Sequence, residues 1–487
     1  MPGGRPAAAE ERTSGWVHSG GSLQSKILGH IRGVKSKKAS SSTLVSALLK
    51  KHFGTNLLHD LVTAARVFPG TARVDLQATL DRLFAERHPA KKLAGVHVSW
   101  NHETLTFSHL IAEGDPPALI GPLQFEEVEL GEQQPARCLK TGLWLCAEES
   151  VPFAVFLTRD MVYGRPKGVC LEIAVPPGES GLDFTRRFLD SVEQAVAQAG
   201  SYRGKVLSLE ETDNFSGKSS GIKVHRLNPV RREEIILPEK TLGLLERNIT
   251  QFVQQRDQLR KLNMPLKKGL LFYGRPGTGK THTIHYLASQ MKDHTTLLIT
   301  AEQVALLDEY MQLSRFLQPV MVVIEDADLI ARARTNMRSP CEESLLNRLL
   351  NEMDGLREDA MILFILTTNS PAALEAALTA RPGRIDQAIE FPLPDEDGRR
   401  KLVRLYARGQ EGGEDVATVI VRKSKNASPA FIKELMRRSA QYQIQSRQNG
   451  ALKLEHVEAA LDEILFSGGS LNVQLLGGAG QGANGAT

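Results

Sequence analysis

The sequence predicts an α/β fold in its second half, in which helices cover both faces of a parallel sheet. Apolar runs of strand length alternate there with helical patterns, and they read GLLFYG, TTLLIT, VMVVIED and MILFILTTN. Such continuous apolar runs are typical of strands that are buried on both faces. A glycine-rich turn also joins the first of these strands to a helical stretch. After residue 395 the periodicity is helical alone, which predicts a small C-terminal helical part.

The first half predicts a separate α+β domain. Short strand-like runs, among them LWLCA, PFAVFLT and VCLEIAV, come before the helical stretch GLDFTRRFLDSVEQAVAQAG. In chain order, the predicted segments are a disordered basic tail at 1–41, a helical segment at 42–93, the α+β domain at 94–210, a linker at 211–229, the α/β part at 230–394, the helical part at 395–466 and a disordered Gly-rich tail at 467–487.

The composition is ordinary for a globular protein, with 41% hydrophobic and 24% charged residues and a formal net charge of +4. That charge is too small to indicate a nucleic-acid partner by itself, and a solvated tail is the simplest interpretation of the basic N-terminal stretch. The four cysteines have no CxxC spacing, which indicates neither a disulfide framework nor a zinc site. They are Cys138, Cys146, Cys170 and Cys341. Since no apolar run is long enough to span a bilayer and the N-terminus has no signal sequence, we predict a cytoplasmic protein.

The stretch LLFYGRPGTGKTHTIHYLA contains the phosphate-binding pattern G-x-x-x-x-G-K-[ST] between a strand and a helix. Backbone N–H groups of such a loop wrap the phosphates, and the following helix presents its positive end to them. We predict that Lys280 reaches the β- and γ-phosphates of ATP and that the Thr281 hydroxyl holds Mg²⁺. The motif thus predicts a P-loop NTPase sheet. The residues expected at the nucleotide are Gly274, Pro276, Gly277, Thr278, Gly279, Lys280, Thr281 and His282.

The stretch VVIEDAD is a buried strand that ends in acids, in the order Glu325 and then Asp326. Successive strand residues point to opposite sides, so position rather than residue type decides the roles. We predict that Glu325 binds Mg²⁺ through water and that Asp326 is the base that polarises the attacking water, with Asp328 in support. The alternative is a strand that merely ends in acidic residues.

Five motifs together resemble the AAA-type ATPase module, in the branch with a second region of homology, over about 230–466. They are GRPGTGKT, VVIEDAD, LLNRLLNEMDGL, LTTNSPAALEAALTARPGRIDQAIEFPLPDEDGR and ASPAFIKELMRRSA. The resemblance implies that Asn369 contacts the γ-phosphate and that Arg381 and Arg384 reach the neighbouring subunit's site. It also implies a ring, usually a hexamer, and makes the part at 395–466 a lid subdomain. Ordinary surface arginines in a loop are the alternative for Arg381 and Arg384.

Three features depart from the family pattern. Arg275 stands where proline is usual, and ASPAF replaces Ser-Gly-Ala, so that Ser428 and Pro429 cap the lid helix differently. The segment before VMVVIED is short and lacks the aromatic–hydrophobic–Gly loop that grips polypeptide in the pore. Its aromatic residue, Tyr310, has helical spacing with neighbouring leucines and is interpreted as a packing residue.

The sequence therefore predicts a ring-forming ATPase that couples ATP hydrolysis to remodelling of a protein or complex. We recognise no family resemblance in the N-terminal domain, and by analogy of position it would recognise a protein substrate or adaptor. One alternative is a nucleotide-gated assembly scaffold, in which the Glu-Asp order leaves little hydrolysis. A second alternative is a nucleic-acid-associated ATPase that uses the basic N-terminal stretch.

Overall fold

The computed structural model describes most of the chain. The described residues are 44–55, 58–98, 103–112, 116–148, 151–162, 165–211, 219–332, 343–372, 374, 383–407, 413–446 and 452–467. The predicted basic tail at 1–41 and residues 468–487 of the predicted Gly-rich tail lie outside these ranges, as do Cys341 and Arg381. The other three cysteines are buried and free.

An antiparallel sheet forms the N-terminal unit. Its strands are β1 (Val62–Pro69), β2 (Lys92–His97), β3 (Leu119–Gly121), β4 (Gln124–Val128), β5 (Ala136–Glu148), β6 (Val151–Val162) and β7 (Arg165–Val175). They pair in the order β1-β7-β6-β5-β2-β3, and β4 pairs with β5. Four helices flank the sheet, namely α1 (Val45–Phe53), α2 (Arg73–Glu86), α3 (Phe107–Ile111) and α4 (Glu179–Gln198).

The central strand β6 explains the layering of this unit. Phe153 and Val155 pack into a core with α2 and α4, whereas Ala154 and Phe156 pack into a core with α1 and α3. Alternate residues of one strand thus enter two cores on opposite faces of the sheet. The run PFAVFLT is continuously apolar for that reason.

One element here corrects the sequence analysis. The segment at 42–93 was predicted to be helical, but Val62–Pro69 is the edge strand β1, paired antiparallel with β7. Its apolar residues fit both the helical and the strand periodicity. In the structure, its side chains alternate between more and less exposed positions along the strand. Pairing with β7 makes this segment a strand, and a local sequence pattern gives no information about such pairing. The N-terminal sheet consequently begins well before residue 94.

The second sheet has the α/β arrangement that the sequence predicts. Its strands are β8 (Val206–Glu211), β9 (Ser219–His225), β10 (Lys268–Tyr273), β11 (Thr295–Ile299), β12 (Val320–Ile324), β13 (Ile362–Thr368) and β14 (Gln387–Glu390). Their order is β14-β10-β13-β12-β11-β8-β9, parallel throughout except for the final β8–β9 pair. Helices cover both faces, which confirms the predicted fold class. They are α5 (Glu239–Leu245), α6 (Phe252–Gln254), α7 (Arg256–Lys261), α8 (Lys280–Gln290), α9 (Leu307–Phe316), α10 (Ala327–Arg332) and α11 (Glu343–Asp354).

Strands β8 and β9 correct the predicted boundary between the two halves. Residues 206–210 were assigned to the N-terminal domain and 211–229 to a linker, yet β8 lies parallel to β11 and β9 lies antiparallel to β8. The run KVLSLE forms β8, but its sequence does not say which sheet that strand joins. The polar composition of β9 suits an edge strand, whose outer side does not pair with another strand of the sheet.

The region after β14 is a helical subdomain with its own core. Its helices are α12 (Glu396–Ala407), α13 (Glu414–Lys423), α14 (Pro429–Gln445) and α15 (Leu454–Asp462). Their apolar faces meet around Phe431, Ile432, Leu435 and Val457. Among the described residues of the whole chain, no helix is both long and apolar enough to cross a bilayer.

The two sheets share a core at β8. Leu130 and Tyr202 of the N-terminal unit belong to the same buried cluster as Leu207, Leu209 and Tyr310. The Tyr310 side chain is fully buried, which confirms that it is a packing residue. Its hydroxyl accepts a hydrogen bond from the Leu209 N–H at 2.8 Å and lies 3.0 Å from the Leu298 carbonyl oxygen, to which it can donate. Tyr310 thus links α9 to both β8 and β11.

Replacement of Tyr310 by Phe is expected to destabilise the protein by about 1–3 kcal/mol, because the buried Leu209 N–H loses its acceptor. Urea unfolding would measure the change. Tyr442→Phe is the matched control, since that hydroxyl donates to Glu463 at a half-exposed site that water can reach. An equal loss in both variants would contradict the linking role of Tyr310.

Candidate nucleotide-binding site

A glycine-rich turn follows β10 and leads into α8. Gly274 and Gly277 have φ angles of +154° and +76°, which residues with a side chain rarely adopt. A Cβ atom at Gly274 would lie 2.3 Å from the Phe391 carbonyl oxygen. Thr278 is buried, and its hydroxyl donates to the Arg275 carbonyl at 2.8 Å. The turn therefore has contacts of its own that hold its shape, and Pro276 lies at its exposed outer side.

The buried ammonium of Lys280 lies inside this turn. Its Nζ donates to the Gly274 carbonyl at 2.8 Å and to the Asn369 Oδ1 at 2.8 Å. Burial lowers the pKa of Lys280, and the nearby Asp326 and Asp328 carboxylates partly offset that effect. The cation thus lies between the loop that would carry the phosphates and the residue predicted to contact the γ-phosphate.

The two acids after β12 lie in a turn and have different hydrogen-bond partners. Glu325 accepts a hydrogen bond from the Thr281 hydroxyl at 2.8 Å. Asp326 instead accepts one from the Asn369 Nδ2 at 3.0 Å, and its own N–H donates to the Thr367 hydroxyl at 3.0 Å. The φ angle of Asp326 is +48°, a left-handed conformation that Asp tolerates better than most residues. The chain turns sharply there, so the two carboxylates have different partners.

Asp328 and Thr368 hold Asn369 in place through hydrogen bonds. Asp328 is 2% exposed, and its Oδ1 accepts from the Thr368 hydroxyl at 2.9 Å and from the Asn369 N–H at 3.2 Å. Asp328 was predicted only as a supporting acid, and Thr367 and Thr368 were not predicted. The run TTN at the end of β13 was the available signal, since it places two hydroxyls beside the predicted Asn369.

The helical subdomain that follows β14 contacts the phosphate loop directly. Ser428 caps α14, with its hydroxyl accepting from the Phe431 N–H at 3.2 Å, and proline begins the helix. The next residue, Ala430, donates its N–H to the Gly277 carbonyl at 3.2 Å. This contact was not predicted from the sequence, because it joins residues far apart in the chain. It places the start of α14 at the entrance of the loop.

His282 and the arginines complete the predicted set. His282 lies in the first turn of α8, where Glu234 of the loop before α5 is close enough to act on its charge. Arg381 lies outside the described residues. Arg384 is not at this site, because its guanidinium forms an ion pair with Asp354 at the end of α11. Its predicted reach into a neighbouring subunit stays a prediction.

The site also fits a hard cation. Thr281 and Glu325 bring a hydroxyl and a carboxylate within 2.8 Å of each other, and oxygen ligands of this kind suit Mg²⁺. In the described part of the chain, no cluster of three or more His, Cys, Asp or Glu side chains is placed to hold a metal ion. A magnesium ion here would therefore take further ligands from phosphate and water.

Residues 270–393 match the family model described as ATPase family associated with various cellular activities (AAA). The chain contains an AAA module. The matched residues run from β10 through the phosphate loop, the acids after β12 and Asn369 to the end of β14. The family thus accounts for the elements that assemble the site, while the N-terminal unit lies outside the match.

Curated relatives resemble this chain over part of its length. A proteasome-activating nucleotidase from Methanothermobacter thermautotrophicus is 26% identical over 258 residues, which are 50% of this chain and 62% of that protein. The ATP-dependent zinc metalloprotease FtsH of Thermus thermophilus is 30% identical over 198 residues, or 38% of this chain and 31% of that protein. A proteasome-activating nucleotidase from Methanocaldococcus jannaschii is 29% identical over 237 residues, or 46% of this chain and 51% of that protein. The chain spans about half the length of the curated relatives it matches.

The contact between the phosphate loop and the helical subdomain makes Gly277 sensitive to substitution. A Cβ atom there would lie 2.8 Å from the Ala430 Cβ and 2.9 Å from the Ser428 Oγ. We expect Gly277→Ala to displace the helical subdomain from the loop. The variant should raise the dissociation constant for ATP about tenfold and lower the free energy of unfolding by about 1–3 kcal/mol. Nucleotide titration and urea unfolding would measure these effects. Gly413→Ala is the control, because no atom lies within 4 Å of a Cβ there. Unchanged affinity in Gly277→Ala would contradict the importance of the contact.

Proposed function

We propose that this protein is an ATPase that assembles into a ring and couples ATP hydrolysis to remodelling of a protein or complex in the cytoplasm.

 The observation that carries the proposal is the hydrogen-bonded group around Lys280, Asn369 and Asp326, next to the Thr281–Glu325 pair. Positioned charges of this kind are what phosphoryl transfer requires, since the protein contributes mainly orientation and electrostatic stabilisation.

In this proposal each residue has one task. Lys280 moves its hydrogen bond from Asn369 to the β- and γ-phosphates of ATP, and the turn from Gly274 to Gly279 wraps them. Thr281 and Glu325 hold Mg²⁺, which neutralises charge on the phosphates when it is bound. Asp326 accepts the proton of the attacking water.

Asn369 orients that water, because its amide can donate to one partner and accept from another. In the structure it already does both, donating to Asp326 and accepting from Lys280. Arg381 of a neighbouring subunit would stabilise the charge that develops on the γ-phosphate. The site is then complete only in an assembled ring, for which a hexamer is the family's usual size.

The N-terminal unit is the proposed recognition domain for a protein substrate or adaptor. Its support is the core that it shares with β8 and Tyr310, through which a movement of β11 would reach it. The proteasome-activating nucleotidases and FtsH, by their names, serve proteolysis, but the match to the family model covers residues 270–393 alone.

Steady-state phosphate release with Mg-ATP, measured across protein concentration, tests the proposal. We expect turnover per chain to rise as the protein assembles, because each site needs a neighbour. Tight ATP binding and assembly without phosphate release would instead support the second candidate, a nucleotide-gated scaffold. The observation that favours that candidate is the Glu325-Asp326 order, which places the shorter carboxylate at the base position.

A further inference from the structure

The turn that carries Asp326 is strained, and backbone contacts hold it on both sides. Its φ angle of +48° is rare for a residue with a side chain, and such a conformation persists only where surrounding contacts maintain it. Before the turn, the Glu325 N–H donates to the Ile299 carbonyl of β11 at 2.9 Å. After it, the Leu329 N–H of α10 donates to the Asp326 carbonyl at 2.8 Å. These two contacts join backbone groups, so they do not depend on which side chains are present.

The remaining backbone contact of Asp326 depends on a side chain. The Asp326 N–H donates to the Thr367 hydroxyl at 3.0 Å, and Thr367 is 2% exposed. Thr367 belongs to β13, which pairs with β10 on one side and with β12 on the other, so its backbone is fixed within the sheet. A buried N–H that loses its acceptor is costly, because no water replaces the lost hydrogen bond. The Thr367 hydroxyl therefore helps to fix the left-handed backbone of Asp326.

The two residues that follow Thr367 bind the same acidic segment. The Thr368 hydroxyl donates to the Asp328 Oδ1 at 2.9 Å, and the Asn369 Nδ2 donates to the Asp326 Oδ1 at 3.0 Å. Asp326 is thus held at its backbone by Thr367 and at its carboxylate by Asn369. Loss of the first contact would let the backbone move while the carboxylate keeps its charge. Thr367 consequently acts on where this carboxylate lies, not on what it is.

We propose that Thr367 is a positioning residue for the general base, which fixes the left-handed turn so that the Asp326 carboxylate faces the attacking water. The inference rests on the proposed ATPase function. An aspartate side chain has one rotatable bond fewer than a glutamate, so the backbone sets most of the distance between its carboxylate and the water. The position of the backbone at Asp326 then decides whether the base is within reach of its proton.

The variant Thr367→Val removes the acceptor and keeps the branched shape of the side chain. We expect kcat for phosphate release to fall about 10–100-fold with little change in the KM for ATP, because a small displacement of a reacting group is costly in rate. Thr367→Ser keeps the hydroxyl and should retain most of the kcat. Thr296→Val is the matched control, since Thr296 is also buried in this sheet but lies near the start of β11, whereas the acids follow the end of β12.

A double-variant cycle with Asp326→Asn distinguishes positioning from a general loss of structure. In the Asp326→Asn background, Thr367→Val should lower kcat by less than about twofold, because the base that it positions is already absent. An equal fall of kcat in both backgrounds would overturn the inference. So would a kcat in Thr367→Val equal to that of the wild type, or a Thr367→Ser variant as slow as Thr367→Val.

The inference can also fail separately from the proposed function. If the wild type releases no phosphate, the proposed function fails, and amide hydrogen exchange still tests the contact of Thr367 with the turn. Faster exchange at residues 325–329 in Thr367→Val, but not in Thr367→Ser or Thr296→Val, supports the contact. Unchanged exchange in Thr367→Val contradicts it.

Discussion

Asp326→Asn is expected to reduce kcat by a factor on the order of 10²–10⁴, the usual contribution of a general base, while ATP still binds. The amide that replaces the carboxylate can still accept the Asn369 hydrogen bond, but it cannot take a proton from water. Asn also tolerates the left-handed backbone at this position, where φ is +48°. The variant therefore removes the chemistry with little change in the fold.

The variant Glu325→Gln distinguishes the roles of the two acids. Since Glu325 accepts a hydrogen bond from the Thr281 hydroxyl and not from Asn369, its amide variant should mainly weaken Mg²⁺ binding. We expect the Mg²⁺ concentration for half-maximal turnover to rise about 10–100-fold, with smaller loss of kcat at saturating Mg²⁺. Phosphate release in a magnesium titration measures both quantities. If Glu325→Gln instead abolishes turnover at every Mg²⁺ concentration and Asp326→Asn does not, the two roles are the reverse of those proposed.

Lys280→Ala is expected to remove both ATP binding and turnover. The ammonium is the buried cation that links the Gly274 carbonyl to Asn369, and an alanine leaves Asp326 and Asp328 without that nearby charge. Loss of one such stabilising donor commonly costs on the order of 10²–10³ in kcat. Calorimetric titration with ATP and phosphate release measure the two effects.

The control for that variant is Lys261→Ala, which removes an exposed lysine at the end of α7 and should bind ATP as the wild type does. ATP affinity in Lys280→Ala equal to that of this control would rule out the phosphate role of Lys280.

Residues next to strand ends were predictable because the chain itself brings them to the sheet edge. The carboxyl ends of parallel strands meet at one edge, so the phosphate loop, the two acids and Asn369 had to lie close together once the strands were recognised. The different partners of Glu325 and Asp326 follow instead from the turn after β12, where Asp326 has a left-handed backbone that the sequence did not predict.

Contacts between distant segments were not predictable in this way. The Ala430–Gly277 hydrogen bond, the pairing of β1 with β7 and the membership of β8 in the second sheet all depend on tertiary packing. Local patterns describe which side of an element is apolar, but not which partner covers it. The Arg384–Asp354 pair belongs to the same class, since a resemblance assigns a role to an arginine without showing its acid.

The place of β8 and β9 has a practical consequence for dividing this protein. A fragment that begins at residue 230, where the sequence suggests a boundary, lacks both strands and leaves the β11 edge bare. The unpaired N–H and C=O groups of Thr295–Ile299 would then offer a template for intermolecular strand addition. The fragment would also lack the Leu209 N–H, which donates a hydrogen bond to the Tyr310 hydroxyl in the intact protein. Aggregation of such a fragment would result from the loss of β8 and β9 from the sheet. It would not show whether the module folds when both strands are present.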